Sequence, residues 1–380
     1  SDAYLSGNPR LYTTGGVLEN SAFPPCNAMV VFQGRLFGID STNPNVIFYT
    51  PQVVPGTALS ASDFLFLNLD PRIGGATALA VMDEKLVPFG EESVWFVVGA
   101  GPDATGAGST YQDAQRVPGE AVGCVNPKSP LLTEQGVVFQ SSKGLYLLSR
   151  ALTTVYAGAE AEDIINGATI TSARALPNAT IFQFTLDSGV SAVFDSFVGQ
   201  WGSDDPLDAV DSTIWNGAFA FIQPNGLVLA ETVGEFASNG SAISLAVKTG
   251  PIRLGALAGF ERVRMVEILG TYESAHTLEV SVYFDGNTSA SQVVTITPRA
   301  REAWGDDETW GSGEVWGGRF RPYAWRLYLN RQKCESVQFQ IRDTQSGETP
   351  GEGMSLSSLT LELGVKRGAN KLPASQTFGG

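Results

Sequence analysis

The chain is expected to be all-β: β-propeller-like blades of antiparallel hairpins, followed by a C-terminal β-sandwich. Three observations carry this. Glycine at 43 and proline at 20 of 380 residues suit many turns and few long helices. Five apolar hairpin patterns recur through residues 26–240. Beyond about residue 245 that recurrence gives way to longer segments of alternating apolar and polar residues.

The clearest hairpin lies within 130–149. Val137, Val138 and Phe139 form one apolar run and Leu145, Tyr146, Leu147 and Leu148 the other. Ser141-Ser142-Lys143-Gly144 reads as a four-residue connection, with Gly144 placed where the loop wants a positive φ. The same pattern occurs over 29–49, 78–98, 180–194 and 218–229. The second strands of the hairpins are expected to begin at 46, 94, 145, 190 and 227, in steps of 48, 51, 45 and 37 residues. That spacing fits a four-stranded propeller blade, roughly 40–50 residues per repeat. A hairpin cannot bury its apolar face alone, so such repeats stack radially around a channel. The rival architecture is a set of β-sandwiches built from the same hairpins.

Four segments divide the chain: an extended lead-in over 1–25, the propeller-like part over 26–240, the sandwich over 245–366 and a polar tail over 367–380. The lead-in is polar and turn-rich, with Gly15-Gly16 and Pro24-Pro25. Residues 99–123 form a long stretch without apolar periodicity, the kind of loop that is functional or disordered. Its glycines lack dinucleotide-binding spacing, and no Gly-Lys-Ser/Thr follows. Residues 163–166 suit one helical turn. In the second part, 263–269, 278–284, 293–296, 324–329, 337–341 and 356–363 read as strands. Val337, Phe339 and Ile341 face one side there, with Gln338 and Gln340 on the other.

Net charge is −15 and unevenly spread: residues 1–240 hold 9 Lys and Arg against 24 Asp and Glu, and residues 241–380 hold 15 of each. An acidic surface repels nucleic acid; solubility alone also accounts for it. Cys26, Cys124 and Cys334 are too few and too scattered for a disulfide framework or a zinc site, and read as buried free thiols. The one histidine, His276, follows Glu273-Ser274-Ala275 and reads as a surface turn residue, with no nucleophile elbow nearby. The acidic pairs Glu91-Glu92, Asp204-Asp205 and Asp306-Asp307 suit turns better than a glycosidase pair. No catalytic, cofactor-binding or metal-ligating set is expected, and no apolar run reaches membrane-spanning length. Trp304, Trp310 and Trp316, each followed by glycine, form a candidate partner-contact loop, or else tuck back onto the sandwich.

Several stretches stand in a telling order: Leu11-Tyr12-Thr13-Thr14-Gly15-Gly16, Gly34-Arg35-Leu36-Phe37, and Gly99-Ala100-Gly101-Pro102-Asp103-Ala104-Thr105-Gly106. Gly123-Cys124-Val125-Asn126-Pro127 and Gly136-Val137-Val138-Phe139 with Lys143-Gly144-Leu145-Tyr146 follow. Arg331-Gln332-Lys333-Cys334, Gln338-Phe339-Gln340-Ile341-Arg342 and Leu363-Gly364-Val365-Lys366-Arg367-Gly368 close the series. In this order, over 11–370, the chain resembles the tail-nozzle and packaged-DNA-stabilisation proteins of short-tailed bacteriophages. The resemblance implies a non-catalytic structural protein of the virion, made in the host cytoplasm. It would form a hexameric ring below the portal and adaptor, contact other tail proteins, retain packaged DNA and conduct it at ejection without sequence-specific binding. On that reading Asp204, Asp205, Asp208 and Asp211 are candidate channel-lining acids, and Arg319, Arg321, Arg326 and Arg331 candidate subunit contacts. Two alternatives stand beside it: a glycan-binding or glycan-cleaving propeller of a phage tail tip, and a cellular propeller scaffold that binds another protein.

Overall fold

The computed structural model describes residues 10–12, 18–20, 24–52, 65–103, 107–119, 121–177, 180–204, 207–238, 240–253, 261–272, 276–296, 321–345 and 353–364. The described chain is all-β with one short α-helix, and it divides into two compact units, Ser1–Thr232 and Val233–Gly380. The division falls a little before the expected 240–245, because the last strand of the repeating part already ends at Ala230.

The first unit opens on a small hairpin of β1 (Arg10–Tyr12) and β2 (Leu18–Asn20), within what reads as an extended lead-in. Five antiparallel sheets follow, each running in chain order. Blade 1 is β3 (Cys26–Phe32), β4 (Arg35–Asp40), β5 (Val46–Tyr49) and β6 (Phe66–Asn68). Blade 2 is β7 (Ala78–Met82), β8 (Lys85–Phe89), β9 (Trp95–Phe96) and β10 (Gln115–Arg116), with β8 and β9 joined by the bridges Leu86↔Val97 and Phe89↔Val94. Blade 3 is β11 (Leu131–Leu132), β12 (Gly136–Ser141), β13 (Gly144–Ser149) and β14 (Thr154–Tyr156). After α1 (Glu162–Ile165) comes blade 4: β15 (Ile170–Ala175), β16 (Ile181–Leu186), β17 (Ser191–Asp195) and β18 (Gln200–Asp204). Blade 5 has β19 (Asp211–Trp215), β20 (Ala218–Ile222) and β21 (Val228–Ala230).

The recurring strand read from the sequence is the third of each sheet, starting at Val46, Trp95, Gly144, Ser191 and Val228. The first strands lie against one another in succession, β3 on β7, β7 on β11, β11 on β15 and β15 on β19. That is how innermost strands follow one another in a propeller. A blade between two neighbours is covered on both faces, so its strands read as apolar runs rather than as alternation. β12 shows this: of its six residues only Val138 is not fully buried. Phe139 on β12 meets Phe89 on β8 at 4.9 Å between ring centroids, which ties blade 3 to blade 2.

Two details depart from expectation. Ser141 pairs with Gly144, so the connection is two residues, Ser142-Lys143, and not four; Gly144 does take a positive φ, 111°. The 99–123 stretch is also no free loop where described. It supplies β10, and its Tyr111 is buried against Phe37 and Tyr49.

The second unit begins with a short hairpin of β22 (Ala237–Ser238) and β23 (Ser241–Ala242). Its strands are then β24 (Ala246–Lys248), β25 (Ile252–Arg253), β26 (Glu261–Tyr272), β27 (His276–Phe284), β28 (Gln292–Ile296), β29 (Arg321–Tyr328), β30 (Lys333–Cys334), β31 (Ser336–Gln345) and β32 (Met354–Gly364). One sheet has the order β24-β31-β27-β28, with β25 also on β31; the other centres on β26, flanked by β29, β30 and β32. The two share one core in which Leu278, Val280, Val282 and Phe284 meet Val337, Phe339, Ile341, Val263, Val266 and Ile268. A register shift against β32 between Val263 and Met265 lets Val263 and Val266, an odd number of residues apart, both face inward. Each fully buried side chain of this size is worth about 1.5–3 kcal/mol relative to exposure. The polar tail at 367–380 lies outside the described residues.

Candidate functional site

The crossover from blade 4 to blade 5 gathers the acids singled out in the sequence. Leu207 donates its N–H to the Gly189 carbonyl at 2.8 Å, and Leu207 and Ala209 are buried with Phe219. Asp208, between two inward residues, is exposed. Asp204 ends β18, the outermost strand of blade 4, and is also exposed. Burial and the nearby Asp204 push the Glu231 carboxyl upward, so an acid that the sequence reading passed over joins the group. Asp211 is different. Its Oδ1 accepts from the Ser212 N–H at 2.8 Å and sits 3.6 Å from the Arg174 guanidinium, which balances its charge. Asp205 lies outside the described residues.

The acids therefore do not form one row on an innermost strand. They cluster along the crossover, with Asp211 neutralised at the start of β19. Along the chain the composition is one-signed, since residues 175–232 hold seven Asp and Glu and no Lys or Arg, but in space Arg174 stands by Asp211 and Lys128 donates to the Val210 carbonyl at 3.2 Å. The whole first unit carries 9 Lys and Arg against 23 Asp and Glu, the second 15 against 16. Such a field lowers the local concentration of polyanions.

Between blades 3 and 4 runs a groove of about 240 Å³, floored by Phe182, Phe184, Phe194 and Trp201 and walled by Val138, Leu147, Val155 and Tyr156. The Trp201 ring lies tilted at 5.0 Å between centroids from Phe194 and 5.9 Å from Phe184. The volume falls below that of sites for drug-sized ligands and suits one large apolar side chain. Phe197 is 85% exposed and Trp215 68% exposed. These aromatics escaped the sequence reading, which weighted the Trp304, Trp310 and Trp316 repeat; those three lie outside the described residues. The missed signal was cross-strand pairing, Phe194 opposite Trp201.

Of the candidate basic contacts, Arg326 pairs with Glu267 at 3.4 Å, and Arg331 pairs with Asp285 at 2.6 Å while covering the Phe284 ring. Arg321 opens β29, and Arg319 is outside the described residues. Two cations that the sequence reading did not single out, Arg262 and Lys333, stand directly opposite each other on β26 and β30. They line an open cleft with Asn330, Arg331 and Gln332.

His276 corrects the sequence reading. It is the first residue of β27 and only 1% exposed, near Asp343 on β31, whose carboxyl is pushed up by burial and drawn partly back by His276. The alternation of β27 runs back through it, so it shares the inward side with Leu278. The three cysteines are free and buried, as expected. Among the described residues no group of three His, Cys, Asp or Glu is placed to hold a metal, and no helix is long and apolar enough to cross a membrane.

No family model matches the chain, and no curated protein matches it. Among solved structures, the crystal structure of the C-terminal WD40 domain of Sif2 is similar over 59% of this chain and 75% of that one, at 14% identity and a TM-score of 0.35.

Proposed function

We propose that this chain is a structural, non-catalytic protein of a short-tailed phage virion, a ring-forming nozzle that retains packaged DNA and conducts it at ejection. The observation that carries the reading is the one-signed charge of residues 175–232, together with the ordered resemblance across 11–370. A conduit for DNA gains from a wall without cations. Each phosphate held by a Lys or Arg releases counterions and binds, which retards passage. The nearly neutral second unit suits contacts with neighbouring copies or with the portal and adaptor, and Arg262 and Lys333 join Arg326 and Arg331 as candidates there. The test is oligomeric state by mass photometry and negative-stain imaging, alone and with portal–adaptor complexes. A six-fold ring with a central hole that docks on the adaptor is expected; a monomer under every condition, with no docking, overturns the proposal.

A second reading is favoured by the exposed Trp215 and Phe197. Flat aromatic faces of this kind bind sugar rings, which would suit a glycan-binding tail-tip propeller. A glycan array on the purified chain separates the two: saturable binding lost in Trp215→Ala would favour the glycan reading.

A further inference from the structure

Arg35 is an anomaly in blade 1. It begins β4 in phase with Phe37 and Ile39, and like them it faces inward. It is 4% exposed. Its partners are neutral: the Thr50 carbonyl at 3.3 Å, the Pro102 carbonyl and the Tyr111 hydroxyl. Among the described residues no carboxylate lies within ion-pair distance of it. A guanidinium does not shed its proton in a protein, so burying one without a counter-charge costs stability that carbonyl partners offset only in part.

The same guanidinium lines a polar cleft of about 430 Å³ between the β3–β4 turn and the glycine-rich stretch after β9. The walls are already held by their own bonds. Gln33 donates to the Gly99 carbonyl at 2.9 Å, Ser109 to the Gly101 carbonyl at 3.0 Å, and Asp103 exchanges hydrogen bonds with the Ala107 backbone at 2.7 and 3.0 Å. Gln52, exposed at the mouth, makes no hydrogen bond among the described residues. A concave polar site with a buried cation that has no ion-pair partner among the described residues, and a spare amide at its rim, can receive an anion.

We infer that this cleft binds a carboxylate group, held by the Arg35 guanidinium and the Gln52 amide. The Asp103 carboxylate lines the same cleft and selects against multiply charged anions such as phosphate. A planar monoanion brings one negative charge, where phosphate brings more, to a cleft in which Asp103 already offsets part of the Arg35 charge. The inference is independent of the nozzle proposal, since it needs neither a ring nor DNA.

The test is thermal unfolding of the full chain in sodium acetate against sodium chloride at matched ionic strength and pH 7. Acetate at about 100 mM should raise Tm by roughly 3 °C over chloride. Sodium phosphate should give less. N-acetyl-glutamic acid amide distinguishes the source: a larger increment than acetate identifies a polypeptide side chain, a smaller one a free small acid. Arg35→Gln should erase the increment. Because that variant removes a buried group and can fail to fold, Gln52→Glu is the second variant. It supplies the carboxylate from the rim, so acetate should no longer stabilise it. Equal Tm values in acetate and chloride for the unaltered chain, or an acetate increment that survives in Gln52→Glu, would overturn the inference.

Discussion

Replacing Phe139 by alanine asks whether the blades stabilise one another or only themselves. Phe139 is wholly buried on β12, and its ring meets Phe89 of the preceding blade at 4.9 Å and an interplanar angle of 45°. Truncating a buried phenylalanine costs about 3–5 kcal/mol, the lost transfer energy plus the cavity left behind. In a unit of this size that corresponds to a Tm lowered by roughly 6–20 °C. The pair itself is worth about 0.5–1.5 kcal/mol beyond buried area, because tilted rings place a positive edge near a negative face. Phe89→Ala, Phe139→Ala and the double variant therefore form a cycle whose coupling should fall in that range.

The assay is urea unfolding followed by tryptophan fluorescence. The two units can melt separately, so the transitions are fitted separately, and the one reporting on blade 2 through Trp95 is scored. A loss under about 1 kcal/mol for Phe139→Ala, or a cycle that adds without coupling, would refute the claim that blades 2 and 3 share one core.

Three further outcomes follow from the same structure. The Asp343 carboxyl is raised by burial, so its contribution to the second unit is complete below the ordinary carboxyl pKa and lost as pH rises through the folded value; Asp343→Asn should flatten that decline and stabilise the unit at neutral pH, read as Tm against pH. Burial pushes the Cys26 and Cys124 thiols up to about 11, so iodoacetamide at mildly alkaline pH should leave both unlabelled in the native chain and label them in urea; native labelling would contradict their burial. On the nozzle proposal, Asp204→Lys with Asp208→Lys should slow DNA ejection from assembled phage, most at low salt, and unchanged ejection kinetics would remove these acids from the channel wall.

What the sequence shows and hides follows from which patterns are local. The third strand of every blade was legible because it reads as an apolar run bounded by turn residues, such as Leu145 to Leu148, of which Leu145 and Leu148 are buried in two different clusters. β10 was not, because it is two residues long and held by its pairing with β9 and by the packing of Tyr111, neither of which leaves a periodic trace. The sandwich strands were found from alternation, but β24, β25 and β30 are too short to show any. The acid cluster was visible as composition. The Arg174 partner of Asp211 and the proximity of Glu231 to Asp204 depend on how strands of different blades and sheets meet, which spacing along the chain does not encode.

One signal was present and passed over, and it links the buried polar groups. His276 stands two residues before Leu278 on β27, Asp343 two after Ile341 on β31, and Arg35 two before Phe37 on β4. Each extends an inward-facing alternation by one step with a charged or titratable side chain. Strand geometry obliges such a residue to face inward so long as the strand continues through it. A chain free to choose would place an apolar residue there, since burial of an ionisable group costs more than it returns unless something compensates it. For His276 and Asp343 the compensation is at least partly mutual, because they share one side of adjacent strands: Asp343 stands opposite Leu278 and so next to His276 on that face. For Arg35 the described chain supplies only neutral partners, and the cleft at its guanidinium opens outward. Local pattern and residue type conflict in both places, but only at Arg35 do the described residues hold no carboxylate within ion-pair distance, the nearest charge in the cleft being Asp103 at its wall.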